Sequence, residues 1–454
     1  MASTYLTQTI SSSTGKKFTL SMWVKRADVG SNHMLFHLSS DSGNTDYLDF
    51  AIKNNDKLDV QLRNGSSTTY YRKRTNRLFR DTSAWYHLVW RFDSTNSTAD
   101  DRWIMYINGE RATDIDLDGT PSQVSSDYVT PLNRNGATLQ IGTNIGGSLY
   151  FDGCLSHVHL CDGYSYAPTE FGETDSTTGE WKIKTSPSVS YGTNGFFIFK
   201  DDNAVTDRSG QGNNFTLGGG TLTKTEDCPS NVFATLSPNI LPRNSGGTIS
   251  NGNLFFGTSA AQWTTESSAF GITNGKYYFE VKLKDNGSDR RFRWGLQKNA
   301  EIIKTGNNKV LGGSDNNAIG YATGGESATQ GSYFINQSST TMSDGDINEN
   351  NAIYGFAIDL DNQKMYGHMN GTYFHSGNPS AGSGGIDVSS FYTVGEPLFP
   401  SFTVHNSNLE INFGNGYFGT TAVASAGSNA SNIGIFEYDV PTGYTALSTK
   451  GLNE

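Results

Sequence analysis

The stretch "YGFAIDLDNQKMYGHMNGTYF", residues 354–374, decides the fold. Tyr354, Phe356, Ile358 and Leu360 recur at every second position, the period of a strand with one buried face. Asp361-Asn362 marks a turn into a second strand. Asn370-Gly371 then supplies the two positive-φ positions of a type I′ hairpin turn. The same design stands far upstream in "RWIMYINGERA", residues 102–112, where Asn108-Gly109 takes the turn. One chain writes this hairpin twice, with more than half its length between the copies.

Outward from each hairpin the strand signals continue. In "FTLSMWVKR", Phe18, Leu20, Met22 and Val24 share a face, as do Leu88, Trp90 and Phe92 in "WYHLVWRFD". "RWIMYING" is apolar on both faces, as suits a central strand. "ATLQIG" and "CLSHVHL" read as further strands. In the second half, "KYYFEVKLKD" sets Tyr277, Phe279, Val281 and Leu283 inward and Lys276, Glu280, Lys282 and Lys284 outward. In "LEINFG", Leu409, Ile411 and Phe413 share a face. Charged residues make up only 17% of the chain, aromatic residues 12%, and 52 glycines stand against 11 prolines. That composition favours short strands and tight turns, and no capped helical-period stretch of three turns occurs. The expected class is all-β.

A length of 454 residues exceeds one compact core. Between about Pro168 and Leu241 the pattern loosens into polar, turn-rich segments around one apolar strand, "GFFIFK". The expected organisation is a sandwich over 1–185, an ordered β-rich connector over 186–250, and a second sandwich with a C-terminal extension over 251–454.

The second half resembles the SPRY family, a concanavalin-like sandwich, through "GKYYFEVKL", "RFRWGLQ", the 354–374 segment and "LFPSFTVHNSNLEINFG" in family order. The first half resembles laminin-G or concanavalin-like lectin domains through "FTLSMWVKR", "WYHLVWRFD", "WIMYINGER", "LQIGTN" and "YFDGCLSHVHLCDGYSYAPTEFGE". Several pieces also resemble virion proteins of tailed bacteriophages and prophages. These are "YLTQTISSSTGKKFTLSMWVKR", "FGETDSTTGEWKIK", "YGTNGFFIFKDDNAVTDRSGQGNNF", "DCPSNVFATLSPN" and "YDVPTGYTALSTKGLNE". The resemblances imply two concanavalin A-like antiparallel β-sandwich (jelly-roll) domains. They also imply a setting in a tail fibre, a spike or a head decoration.

The formal charge of −11 argues against a large phosphate-binding surface, so no nucleic-acid partner is expected. One basic island stands out, "YYRKRTNRLFR" at 70–80, read first as a solvated strand and loop, with a subunit or anionic-glycan contact as the alternative. Cys154, Cys161 and Cys228 are too few and too sparse for a disulfide framework. The N-terminal stretch lacks a charged start followed by an apolar core, and no apolar run approaches a membrane span. The expectation is synthesis in a host cytoplasm, no membrane insertion, and a place on the surface of the virion head or tail.

Four places in the sequence could carry chemistry. His157 and His159 could share a strand face, but no third metal ligand is in view. Asp114, Asp116 and Asp118 in "DIDLDG" suggest a calcium loop, although position twelve is Ser125, Pro121 intervenes and no helices flank it. A solvated turn and an adventitious calcium site both remain open, and no other cofactor is expected. A polysaccharide hydrolase would need paired carboxylates across a groove. Glu280 stands alone on its strand, Glu173 and Asp175 lie in a Gly/Thr-rich loop, and neither a nucleophile elbow nor a phosphate loop occurs. No catalytic residue is assigned. Trp90 and Trp103 read as core, whereas Trp23 and Trp85 fall opposite the apolar stripe, where an interface or a sugar could use them.

The ligand-binding residues expected by analogy lie on SPRY-like rim loops: Asn286, Ser288, Asp289, Arg290, Asp315, Asn316 and Asn378. Gly, Ser and Asn in such loops supply adaptable hydrogen bonding. The expected protein is a non-enzymatic virion component that contacts other virion proteins and forms a homo-oligomer, a trimer among the candidate states. A host-surface glycan or receptor is the expected ligand. A hydrolase and a cement protein with no ligand are the competing readings.

Overall fold

Strands with alternating side chains leave every sheet one apolar face, and that face must be covered by another layer. The computed structural model describes residues 3–41, 45–65, 70–200, 205–238, 247–259, 261–284, 291–299, 310–313, 317–324, 330–345 and 347–453. The fold is all-β, built from antiparallel sheets, with short helical pieces such as the 3-10 turns Pro131–Asn133 and Pro168–Glu170. The chain divides into two compact units, Met1–Lys224 and Thr225–Glu454. The expected connector of 186–250 is divided at this boundary. Phe196–Ile198 and Thr216–Gly219 are strands of the first unit, while Thr248–Ser250 belongs to the second. Phe196, Ile198 and Phe215 are buried in the first core, which accounts for that assignment.

In the first unit, the described residues form a sheet of eight strands. Its spatial order is Ile115–Asp116, Tyr70–Leu78, Lys57–Arg63, Tyr47–Ile52, His33–Ser39, Thr138–Ile141, Tyr5–Thr9 and Thr216–Gly219. A second sheet runs Phe196–Ile198, Gly153–Asp162, Lys17–Arg26, Tyr86–Asp93, Trp103–Ile107 and Glu110–Arg111. Phe18, Leu20, Met22, Val24, Leu88, Trp90 and Phe92 meet Leu48, Phe50, Val60 and Leu139 of the larger sheet in one core.

The outer face of the smaller sheet is closed by the chain that follows it. Tyr191 lies against His159, and Phe171 joins Cys161 and Phe197 in a separate apolar cluster. Trp181, from the hairpin Gly172–Thr174 and Trp181–Ile183, lies parallel to His87, which in turn stacks on Trp23 at 4.8 Å between ring centres. Trp181 Nε1 donates to His87 Nδ1 at 3.0 Å, so the ring proton sits on Nε2 and points to Ser21 Oγ at 2.9 Å. Complete burial pushes His87 down to about 3 and keeps it neutral. Trp23 is therefore buried at 4% exposure, and Trp85 is buried as well at 8%, so neither presents the exposed face that an interface or a sugar would use.

The second unit repeats the plan. One sheet follows the path Thr248–Ser250, Phe255–Gly257, Asn408–Asn412, Lys276–Lys284, Ile353–Asp359, Lys364–Met369 and Thr372–Tyr373. The facing sheet runs Trp263–Ser267, Leu398–His405, Arg291–Lys298, Ala318–Ala322, Ser332–Asn336 and Ser338–Thr341. The expected inward residues Tyr277, Phe279, Val281, Leu283, Tyr354, Phe356, Ile358, Leu409 and Ile411 are all in the core between them. The outer face of the first sheet is again roofed by the C-terminal chain. Ile433, Phe436, Val440 and Tyr444 pack with Tyr278, Ala357 and Tyr366.

The two Asn-Gly turns match in detail. Asn108 and Gly109 have φ of 48° and 82°, and Asn370 and Gly371 have 49° and 83°. Each asparagine side chain accepts from the adjoining strand's backbone, His87 N at 2.8 Å and Ile353 N at 3.0 Å. Each glycine is overlaid by an aromatic ring of its unit's roof, Trp181 above Gly109 and Tyr438 above Gly371.

Candidate ligand-binding face of the first unit

The larger sheet of the first unit has the opposite outer face: polar and part-exposed. Its outward residues come from plain alternation in "YLDFAI", "KLDVQLR" and "TLQI", where Leu48, Phe50, Leu58, Val60, Leu62 and Leu139 take the core side. Cross-strand register then sets Thr7, Gln140, His37, Asp49, Gln61 and Arg72 side by side across six strands. A neighbouring row carries Tyr47, Arg63 and Tyr70.

At one end of this face the basic island meets the acidic loop. Arg72 Nε reaches both oxygens of Asp59 at 3.1 and 2.9 Å, and Arg74 Nε reaches Oδ2 at 3.0 Å. Arg74 also pairs with Asp116 and Asp118 at 3.3 Å each, and Arg72 pairs with Asp118. Burial works to raise Asp59, but Arg72, Gln61 and Arg74 outweigh it and hold the carboxyl below its ordinary range. Asp114 accepts from Asn76 Nδ2 at 2.7 Å. The aspartates that suggested calcium thus engage the guanidinium groups that suggested a free basic patch, or a neighbouring amide. Among the described residues, no group of three or more His, Cys, Asp or Glu is arranged to hold a metal.

Toward the middle of the face lies a cleft of about 230 Å³ whose walls include Met34, His37, Tyr47, Asp49 and Asn144. His37 Nδ1 lies 2.6 Å from Asp49 Oδ1, while His37 Nε2 is buried without a hydrogen-bond partner. Burial, with Asp49 nearby, pushes the Tyr47 hydroxyl up to about 12, so it stays protonated. Lys53 and Leu149 complete the walls.

The other candidates fall elsewhere. Asn286, Ser288, Asp289, Arg290, Asp315 and Asn316 lie outside the described residues. Asn378 is exposed and caps the turn Pro379–Ala381, accepting from Ala381 N at 3.1 Å. His157 and His159 lie 6.4 Å apart between ring centres, beside Phe197. A bulge at this point of the strand gives His157 a φ of 47°, and burial holds His159 far below its ordinary range. Glu173 is an exposed partner of Lys182 at 3.6 Å.

Glu280, expected to point into solvent, is fully buried because the C-terminal chain covers it. It accepts from Glu437 N at 2.9 Å, Tyr438 N at 2.8 Å and Tyr278 OH at 2.9 Å. Burial pushes it up to about 7 against the pull of those donors. Tyr278 OH lies 2.7 Å from His368 Nε2, and Gly371 N donates to His368 Nδ1 at 3.2 Å. The group ties the roof to its sheet. The polar row of the first unit is written in the Asp, Gln, His and Arg residues that alternate with the apolar positions, and only cross-strand register brings them side by side.

No curated protein matches the chain. Among solved structures, it is similar to the TRIM65 PSpry domain, at 13% identity over 39% of this chain and 89% of that one, with a TM-score of 0.29. Domains LG4-5 of the mouse laminin alpha1 chain match at 8% identity over 87% of this chain and 78% of that one, with a TM-score of 0.27. The SPRY domain of human HERC1 matches at 12% identity over 39% and 96%, also with a TM-score of 0.27. A family model of the laminin G type, described as the concanavalin A-like lectin/glucanases superfamily, matches residues 2–168, within the first unit.

Proposed function

We propose that the chain is a non-enzymatic adhesion protein of a tailed-phage particle, and that it binds host-surface glycan through the outer face of the eight-stranded sheet. The observation that carries this reading is the difference between the two outer faces of the first unit. One is roofed by its own chain, whereas the other lines up polar groups across six strands beside Tyr47 and Tyr70. Sugars are bound by aromatic faces beside amides, carboxylates and guanidinium groups, because each ring has an apolar side and a rim of hydroxyls. The particle setting rests on the phage-like segments of the sequence. Oligomerisation belongs to the same proposal, since several copies raise the avidity of a weak sugar site.

A glycan array probed with the full chain, together with electron microscopy of particles labelled for it, tests the reading. Binding to a defined set of bacterial-surface glycans, lost on Arg63→Ala and Tyr70→Ala, is the expected outcome. A flat array with the protein buried between capsid subunits would favour the cement role instead.

A further inference from the structure

Nine Asn-Gly pairs occur in the chain, and eight of them lie among the described residues. In such a pair the glycine nitrogen, with no side chain beside it, can attack the asparagine Cγ and close a five-membered ring. The reaction needs two freedoms: an asparagine amide that can swing over, and a glycine N–H that no acceptor holds. The fold withholds one or both at seven of the eight pairs. Asn64 Oδ1 accepts from Arg134 Nη2 at 2.8 Å, and its Nδ2 donates to Val129 O at 2.7 Å. Asn194 is tied to Ser11, accepting from N at 2.9 Å and donating to O at 2.8 Å. Asn108 and Asn370 accept from His87 N and Ile353 N. In the next three pairs the glycine is the tied member. Gly136 N donates to Ile10 O at 2.9 Å, Gly275 N to Asp361 Oδ1 at 2.9 Å and Gly416 N to Asn412 Oδ1 at 3.2 Å.

Asn251-Gly252 carries neither restraint. It opens the turn between Thr248–Ser250 and Phe255–Gly257, with φ of 52° and 66°. Asn251 is exposed, and among the described residues neither its side chain nor Gly252 N makes a hydrogen bond. A Cβ on Gly252 would meet nothing within 4 Å, so no neighbour crowds the nitrogen. We propose that Asn251 is a site of spontaneous deamidation. Gly252 N gives its proton to solvent and bonds to Asn251 Cγ, the Cγ–Nδ2 bond breaks, and ammonia leaves. Water then opens the succinimide at either carbonyl, leaving aspartate or isoaspartate at 251. Each conversion adds one negative charge beside another acid, because a Cβ on Gly419 would meet both Glu410 Oε1 and, at 3.4 Å, Asn251 Nδ2. Glu410 belongs to the strand that pairs with Phe255–Gly257, so the repulsion falls on the sheet edge that carries the turn.

The test ages the full chain in mildly alkaline buffer and follows each Asn-Gly peptide by mass spectrometry, with an isoaspartyl methyltransferase assay for the rerouted bond. Asn251 converts about fivefold to tenfold faster than Asn108 and Asn370, each of which must first break a hydrogen bond. In urea, which removes the restraints, the three rates converge. Asn251→Gln, whose longer arm closes a ring far more slowly, loses the isoaspartate signal at this position. The aged chain unfolds at a lower temperature than aged Asn251→Gln. Equal rates at Asn251 and Asn108 in the folded chain overturn the assignment. So does urea that speeds Asn251 as much as it speeds Asn108. Equal melting of the two aged chains overturns the strain placed on the sheet edge.

Discussion

Gly109 lies so close under the indole of Trp181 that a Cβ on it would stand 2.5 Å from two ring carbons. Gly371 has the same relation to Tyr438, at 2.9 Å. The Asn-Gly turn therefore does two jobs: its backbone reverses the chain, and its bare glycine seats a ring of the roof.

Gly109→Ala is expected to cost the first unit about 2 to 4 kcal/mol, combining a positive-φ penalty with displacement of Trp181. Gly119 has φ of 74° and open space around it, so Gly119→Ala isolates the backbone part, about 1 kcal/mol. Urea unfolding of the two variants compares them directly. Equal losses would mean that the indole seat contributes nothing.

Trp181→Phe keeps an aromatic ring in place but removes the donor to His87 Nδ1. A buried acceptor then goes unpaired, at a cost of about 1 to 3 kcal/mol. Imidazole NMR should show His87 losing its single fixed tautomer. An unchanged spectrum and an unchanged melting temperature would count against the bond.

Folding raises Glu280 from 4.5 to about 7, so the folded state holds a proton that the unfolded chain releases between those values. Its contribution to stability is complete below pH 4.5 and is lost as pH rises to about 7, on the order of 3 kcal/mol over the window. Glu280→Gln has no such proton, and the pH dependence of second-unit unfolding should flatten in that range. A slope that Glu280→Gln leaves intact would assign it to other groups.

Asp59 is buried between two arginines, whereas Asp116 and Asp118 have 40% and 46% of their side chains exposed. Asp59→Ala leaves paired cations without a buried counter-charge and should cost roughly 3 to 5 kcal/mol. Asp116→Ala and Asp118→Ala should each cost under about 1 kcal/mol. Thermal unfolding of the three variants ranks them. Acid works in the same direction: the depressed Asp59 carboxyl stabilises the fold above its unfolded value of 3.8, and that contribution fades as pH falls below it.

The sequence carried the core faces, because alternation at Phe18–Val24, Leu88–Phe92 and Tyr277–Leu283 depends only on the two-residue period of a strand. It carried the hairpin turns through Asn-Gly stereochemistry. It could not carry the roofs. Whether Trp23 or Glu280 meets water depends on where chain more than a hundred residues away in sequence comes to rest. The pairing of the 70–80 island with the aspartates of 114–118 was hidden for the same reason: each segment reads as a lone charged patch until a strand edge joins them. The His37–Asp49 pair arises from register, which neither segment reveals alone.

The roof of the first unit sets a rule for cutting the chain. A fragment ending at residue 168, where the family match stops, would keep both sheets' central strands yet lack Phe171, Trp181 and Tyr191. Trp23, His87 and His159 would then lose their cover, exposing a buried indole and two imidazoles that burial keeps neutral, and an uncovered aromatic surface of this kind favours self-association. During synthesis the same surface stands bare until the ribosome has released the residues that cover it. Each unit thus completes itself only with its last segment.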